Sequence, residues 1–318
     1  MKKKIIWFFL SFLIVFNLIM ILSVFTLVRP VYKSANDSAI IKALKKIMPT
    51  RNLEISLNDL KHTKIYLKTS DNVKIETMIF ADTEELINID NKFDTPIIIF
   101  LHGYGHPVNA SEKKRIQFLR KHRAPVIAPH FRGYSESGGI YTYVGVREFT
   151  EVQTLLRFIA SNYPNKKIII FGISMGAAAG LKALYNFQEQ SLTIPNLCGL
   201  IIEGCYFSLE NAVENRLKIQ KLPTALIHFL KFWAAIIFNL DVNANTPFKY
   251  ANIIDNPVLF LAGTNDFKTD PLKMRALFSL FKNQYKYIEI SNAEHHNVYE
   301  INPKLYEKEV IDFILKIK

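Results

Sequence analysis

The stretch Lys167-Ile168-Ile169-Ile170-Phe171-Gly172-Ile173-Ser174-Met175-Gly176 decides how the rest of the chain is read. It opens on an apolar run short enough for a buried strand, and Ala177 to Leu184 after it are mostly helix formers. Between them, Gly172-Ile173-Ser174-Met175-Gly176 has the form Gly-x-Ser-x-Gly, whose chemistry requires this strand–turn–helix setting. A sharp turn here lifts the serine hydroxyl above the sheet edge, and the glycines tolerate the tight backbone. Ser174 is therefore the candidate nucleophile. The plainer reading is an ordinary strand-to-helix turn that contains a serine.

The same alternation extends outward in both directions. Residues 97–101 and 125–129 are continuous apolar runs suited to strands buried on both faces. Residues 64–69 and 73–80 alternate at period two around Ser70-Asp71-Asn72, a hairpin signal. The helix around 146–161 sets Phe149, Val152, Leu155, Leu156 and Ile159 on one face. Beyond the serine, strands are expected at 199–203, 257–262 and 285–290. Helices start at Asp270-Pro271 and at Asn302-Pro303, the latter with Tyr306, Val310, Phe313 and Ile317 on one face. A hairpin followed by alternating strands and helices predicts the α/β class, a mostly parallel sheet covered on both sides. Residues 206–250 carry no strand signal, and 223–240 are mostly apolar. A second transmembrane helix there would place Lys231 in lipid, at high cost, and would lie between two strands of one sheet. We read it as a cap over a pocket.

A serine nucleophile needs a base and a group that orients the base. His295 and His296 follow the last strand, at the carboxyl edge where Ser174 lies, and either fits the base. Asp266 follows the strand 257–262 at the same edge and fits the orienting acid. Asp270 is its rival, but before Pro271 an aspartate is more simply a helix N-cap. Backbone N–H donors for an oxyanion would come from Met175, after the serine, and from Tyr104 in the loop Leu101-His102-Gly103-Tyr104-Gly105.

Over residues 62–318 the chain resembles the α/β-hydrolase superfamily. It is most similar to the branch of serine hydrolases that includes membrane-anchored and serine aminopeptidase-like members. The resemblance rests on His102-Gly103, on Arg132-Gly133 through Gly139, on the Ser174 turn, on Gly263 to Asp266, and on Asn292-Ala293-Glu294-His295. It favours His295 as the base and implies an eight-stranded sheet with a cap between strands six and seven. It implies no metal and no organic cofactor. His130 stands where the family often has aspartate, and Ser135 where it has glycine. The implied activity is hydrolysis of a carboxylic ester, a small molecule or a lipid, through an acyl-enzyme. Acyl transfer on the same residues, peptide hydrolysis and non-catalytic membrane-bound binding are the competing readings.

The N-terminus adds a location. Residues 5–28 form a 24-residue run without a charge, preceded by Lys2, Lys3 and Lys4. A spanning helix needs about 20 such residues, and a cleaved signal peptide has a shorter apolar core. Residues 1–28 thus read as a single-pass signal anchor in the lipid bilayer. The short basic start stays inside and the catalytic domain is exoplasmic. Residues 29–61 read as a basic tether with an amphipathic helix at 39–48. In the 318-residue chain, 40 basic and 28 acidic residues give a net charge of +12. The basic residues are scattered and match no nucleic-acid-binding pattern, so no nucleic-acid partner is expected. Cys198 and Cys205 flank an expected strand and lie too far apart for a disulfide. Nothing in the sequence reports an oligomeric state.

Overall fold

The structure is a computed structural model that describes residues 2–28, 60–87, 95–105, 108 and 110–317. The expected tether and the amphipathic stretch at 39–48 lie outside the described residues. Eight strands form one sheet: β1 (Thr63–Lys68), β2 (Lys74–Phe80), β3 (Ile97–Leu101), β4 (Val126–Pro129), β5 (Ile168–Ile173), β6 (Leu197–Glu203), β7 (Val258–Gly263) and β8 (Gln284–Ile290). Their order is β1-β2-β4-β3-β5-β6-β7-β8. Pairs β1–β2 and β2–β4 are antiparallel, and the remaining pairs are parallel.

The described helices are α1 (Lys2–Leu27), α2 (Thr83–Ile87), α3 (Ala110–Lys121), α4 (Phe149–Asn162), α5 (Met175–Glu189), α6 (Leu209–Ile219), α7 (Leu226–Phe238), α8 (Pro247–Tyr250), α9 (Pro271–Ser279), α10 (Val298–Ile301) and α11 (Pro303–Ile317). Strands β3, β5 and β7 are buried along their whole length. That is why their sequences are unbroken apolar runs rather than alternating ones. Successive side chains of a strand point to opposite faces. Accordingly Ile97, Ile99 and Leu101 join the core on one face, with α4 and α5. Ile98 and Phe100 join the other, with α3 and α11. The parallel strands deliver their carboxyl ends, and the loops that follow, to one edge.

Residues 206–250 hold α6, α7, a 3-10 turn (Val242–Ala244) and α8, all between β6 and β7. Ile227, Leu230, Ala234 and Phe238 are the buried side of α7. Lys231 is drawn aside to Glu210, 2.7 Å away. Among the described residues no single helix is long and apolar enough to cross a membrane, and Leu10–Phe25 is a shorter apolar helix. Both cysteines are free.

The hairpin end of the sheet is tied by Glu76. Its buried carboxylate takes Lys64 Nζ at 2.7 Å, His130 Nδ1 at 3.0 Å and the Glu136 N–H at 2.9 Å. Burial alone would push this carboxyl up. The His130 hydrogen bond and charge, with Lys64 and the Glu136 N–H, overcome that and hold it well below the usual carboxylate range. A depressed folded-state pKa stabilises fully above the unfolded value of about 4.3 and is lost as pH falls below it. Glu76→Gln should therefore lower Tm near pH 7, and the gap from wild type should close as pH is taken from about 5 toward 3. A gap that stays constant across a Tm–pH series would show that the charge contributes nothing.

Candidate active site

Ser174 sits between β5 and α5 at φ 49° and ψ −110°. A residue with a β-carbon held there stores of order 1–3 kcal/mol, so the turn must be enforced by its surroundings. A β-carbon on Gly172 would fall 2.5 Å from Ala177 Cα, and one on Gly176 would fall 2.3 Å from the Leu101 carbonyl oxygen. The turn closes, and packs against the end of β3, only because both are glycine. The Ser174 N–H donates to the Glu203 carbonyl at 2.8 Å, tying the turn to β6. Met175 is the first residue of α5, where the N–H lacks an intrahelical partner.

Three side chains from three loops meet above this edge. Ser174 Oγ lies 3.1 Å from His295 Nε2, and His295 Nδ1 lies 2.7 Å from Asp266 Oδ2. With Nδ1–H donating to the carboxylate, Nε2 is the lone-pair nitrogen that accepts from the serine hydroxyl. Asp266 is fully buried. It also accepts from Thr269 Oγ1 at 2.7 Å and from the N–H groups of Lys268 at 3.0 Å and Thr269 at 3.2 Å. Burial would raise its pKa. The His295 hydrogen bond and charge, with the Thr269 donors, outweigh burial and keep it lowered. The arrangement can draw the hydroxyl proton toward an imidazole whose orientation is fixed.

The rival residues are placed elsewhere. Asp270 accepts from the N–H groups of Leu272 and Lys273 and caps α9. His296 Nε2 lies against Lys268 Nζ, away from the serine. Burial, with the Lys268 charge beside it, pushes that imidazole down to about 4. Tyr104 lies on the loop after β3, and its hydroxyl donates to the Leu27 carbonyl of α1 at 2.7 Å. Among the described residues, no group of three or more His, Cys, Asp or Glu side chains is placed to hold a metal ion.

Sequence reasoning missed the group beneath the turn. Glu203, whose carbonyl holds Ser174, is buried with Arg115 in a two-pronged ion pair, at 2.6 Å for Nη2–Oε1 and 3.0 Å for Nε–Oε2. The Tyr306 hydroxyl donates to the same carboxylate. Read along the chain, α3 is simply a basic helix. The only hint was an acidic residue closing the apolar strand β6. Sequence reasoning also passed over Thr269 and the seat of α1. At the two family departures, Ser135 takes φ 50°, a glycine-like conformation, and His130 pairs with Glu76.

A profile of the alpha/beta hydrolase family matches residues 98–299. The chain belongs to the alpha/beta hydrolase family. Among its family relatives is the alpha/beta hydrolase domain-containing protein WAV2 of Arabidopsis thaliana, 23% identical over 271 residues, covering 81% of this chain and 80% of that protein. An uncharacterized membrane protein of Saccharomyces cerevisiae, YNL320W, is 23% identical over 220 residues, 69% of this chain and 68% of the yeast protein. Of solved alpha/beta hydrolase folds, the Pyrococcus furiosus esterase Pf2001 superposes with a TM-score of 0.64 at 24% identity, covering 83% of this chain and 94% of the esterase. At that identity the likeness is one of fold.

Proposed function

We propose that this alpha/beta hydrolase is a serine hydrolase, held at a membrane, that cleaves a carboxylic ester through an acyl-enzyme. The observation that carries the reading is the hydrogen-bonded series Ser174 Oγ–His295–Asp266 on a strained turn. Ser174 Oγ attacks the ester carbonyl carbon as its proton passes to His295 Nε2. Asp266 holds the imidazole and stabilises its charged form. The N–H groups of Met175 and Tyr104 take the oxyanion. His295 then protonates the departing alkoxide, and a water activated by the same nitrogen hydrolyses the acyl-serine.

Residues 5–28, without a charge, support attachment to a bilayer, as does the description of the yeast relative as a membrane protein. The basic start before that run supports an exoplasmic catalytic domain. The apolar cap supports an ester with an acyl chain or a lipid as substrate. A fluorophosphonate probe should label the purified full chain and fail on Ser174→Ala. p-Nitrophenyl esters of increasing acyl length should then be turned over by wild type alone. A folded wild-type protein that neither labels nor turns over any ester in the series would remove the reading.

A further inference from the structure

The apolar surface of this protein is not spread evenly. Nine of its exposed large hydrophobic side chains lie on α1, and five more lie between Ile219 and Ile236 on the cap. On α7 they are Phe229, Phe232 and Ile236, at the spacing that puts them on one side of a helix. That side also carries His228, one polar group against three large apolar ones.

The two regions form one surface. The Phe16 ring meets Phe229 edge-on at 4.9 Å, and Phe25 meets Phe238 at 5.0 Å. Both pairs advance nine residues, so α1 and α7 run side by side in the same direction. Met20, Val24 and Val28 are buried against the domain. Trp233 Nε1 donates to Asn17 Oδ1 at 3.1 Å, and Asn17 Nδ2 donates back to the Leu13 carbonyl at 2.9 Å. The one amide in the described apolar face of α1 is thus satisfied within the protein, as a lipid setting demands.

This seating limits how far α1 reaches. Only residues 5–15 of the uncharged run stand clear of the cap, about 17 Å of helix at ~1.5 Å per residue. The hydrocarbon core of a bilayer is about 30 Å thick. For the seated helix to cross, the α6–α7 turn would have to enter the hydrocarbon with exposed Lys218 and Lys221, against a steep cost. We propose that α1 and α7 instead lie side by side in the plane of one leaflet, as a two-helix platform. Their apolar sides enter the acyl chains, and Lys218 and Lys221 meet anionic headgroups. The platform rests on the membrane attachment proposed above and deepens it. Because the end of α1 is bonded to Tyr104 beside the Ser174 turn, an ester lipid of the same leaflet is the substrate class this placement favours.

The test uses the full chain with Cys198→Ser, in vesicles of phosphatidylcholine and phosphatidylglycerol. An environment-sensitive fluorophore is placed on Phe232→Cys or, separately, on Leu18→Cys. The vesicles carry lipids with a nitroxide at acyl carbon 5 or at carbon 12. Both sites should lose about half or more of their emission to the carbon-5 nitroxide and clearly less to the carbon-12 one, the mark of burial some 5–10 Å deep. Deep quenching at Leu18 with none at Phe232 would overturn the platform and leave a spanning anchor standing. Quenching at neither site would remove the membrane reading itself. Phe232 shielded from lipid but cross-linking to a second copy would assign the face to self-association and overturn the proposal. None of these outcomes alters labelling of Ser174 by the fluorophosphonate probe.

Discussion

His295→Ala is expected to lower kcat on a p-nitrophenyl ester by about six orders of magnitude, while His296→Ala leaves it nearly unchanged. The two residues are neighbours in sequence with rings 5.4 Å apart, yet their surroundings give them opposite roles. His295 bridges Ser174 and Asp266 through its two nitrogens. Removing it leaves the hydroxyl without an acceptor and Asp266 as a buried charge with nothing to orient. His296 faces Lys268. Held at about 4 by burial and that cation, it is neutral at pH 7 and has no hydrogen bond to the serine. Steady-state kinetics on both variants, each with its Tm, separates loss of chemistry from loss of fold. An equal loss in the two would mean that the proton moves through His296. A His295→Ala enzyme within tenfold of wild type would end the proposed mechanism.

The second large effect is on stability. Arg115→Ala should destabilise the folded domain by about 3–5 kcal/mol, the usual result of stranding one member of a buried ion pair. Arg115 and Glu203 are both nearly inaccessible, so water cannot replace the lost guanidinium. Replacing both, as Arg115→Met with Glu203→Leu, should recover a good part of the loss, because no charge is left buried. Denaturant unfolding of the single and double variants gives the comparison. A single variant within about 1 kcal/mol of wild type would mean that the pair behaves like an exposed one. Since the Glu203 carbonyl holds the Ser174 N–H, this pair lies directly under the turn that strains the serine.

Legibility in the sequence followed the range of the interaction. The central strands could be read because burial on both faces leaves an uninterrupted apolar run, and β1–β2 because an exposed edge leaves alternation. The Ser174 turn could be read because its constraint is local: two glycines within five residues, each excluded from carrying a β-carbon by backbone packed against it. Asp266 and His295 could be named because each follows its own strand. Their union through a 2.7 Å hydrogen bond depends on β7 and β8 being neighbours, which the alternating pattern implied. Arg115, Glu203 and Tyr306 come from a helix, a strand and a second helix far apart in sequence. Nothing local to any of them shows that they share one face of the sheet. The seat of α1 was hidden for a related reason. Residues 5–28 are apolar all round, so no stripe announced which side would be covered by the cap, and a free span was the natural expectation.

The hydrogen bond from the Tyr104 hydroxyl to the Leu27 carbonyl has a thermodynamic consequence. It joins the last turn of the N-terminal helix to the loop from which one oxyanion donor is proposed to come. Seating of the helix and closure of that loop are therefore two ends of one equilibrium. Linkage is reciprocal. Whatever the surrounding lipid contributes to holding the helix in its seat is felt as preorganisation of the loop. An acyl group bound at Ser174 tightens the helix on the cap by the same free energy.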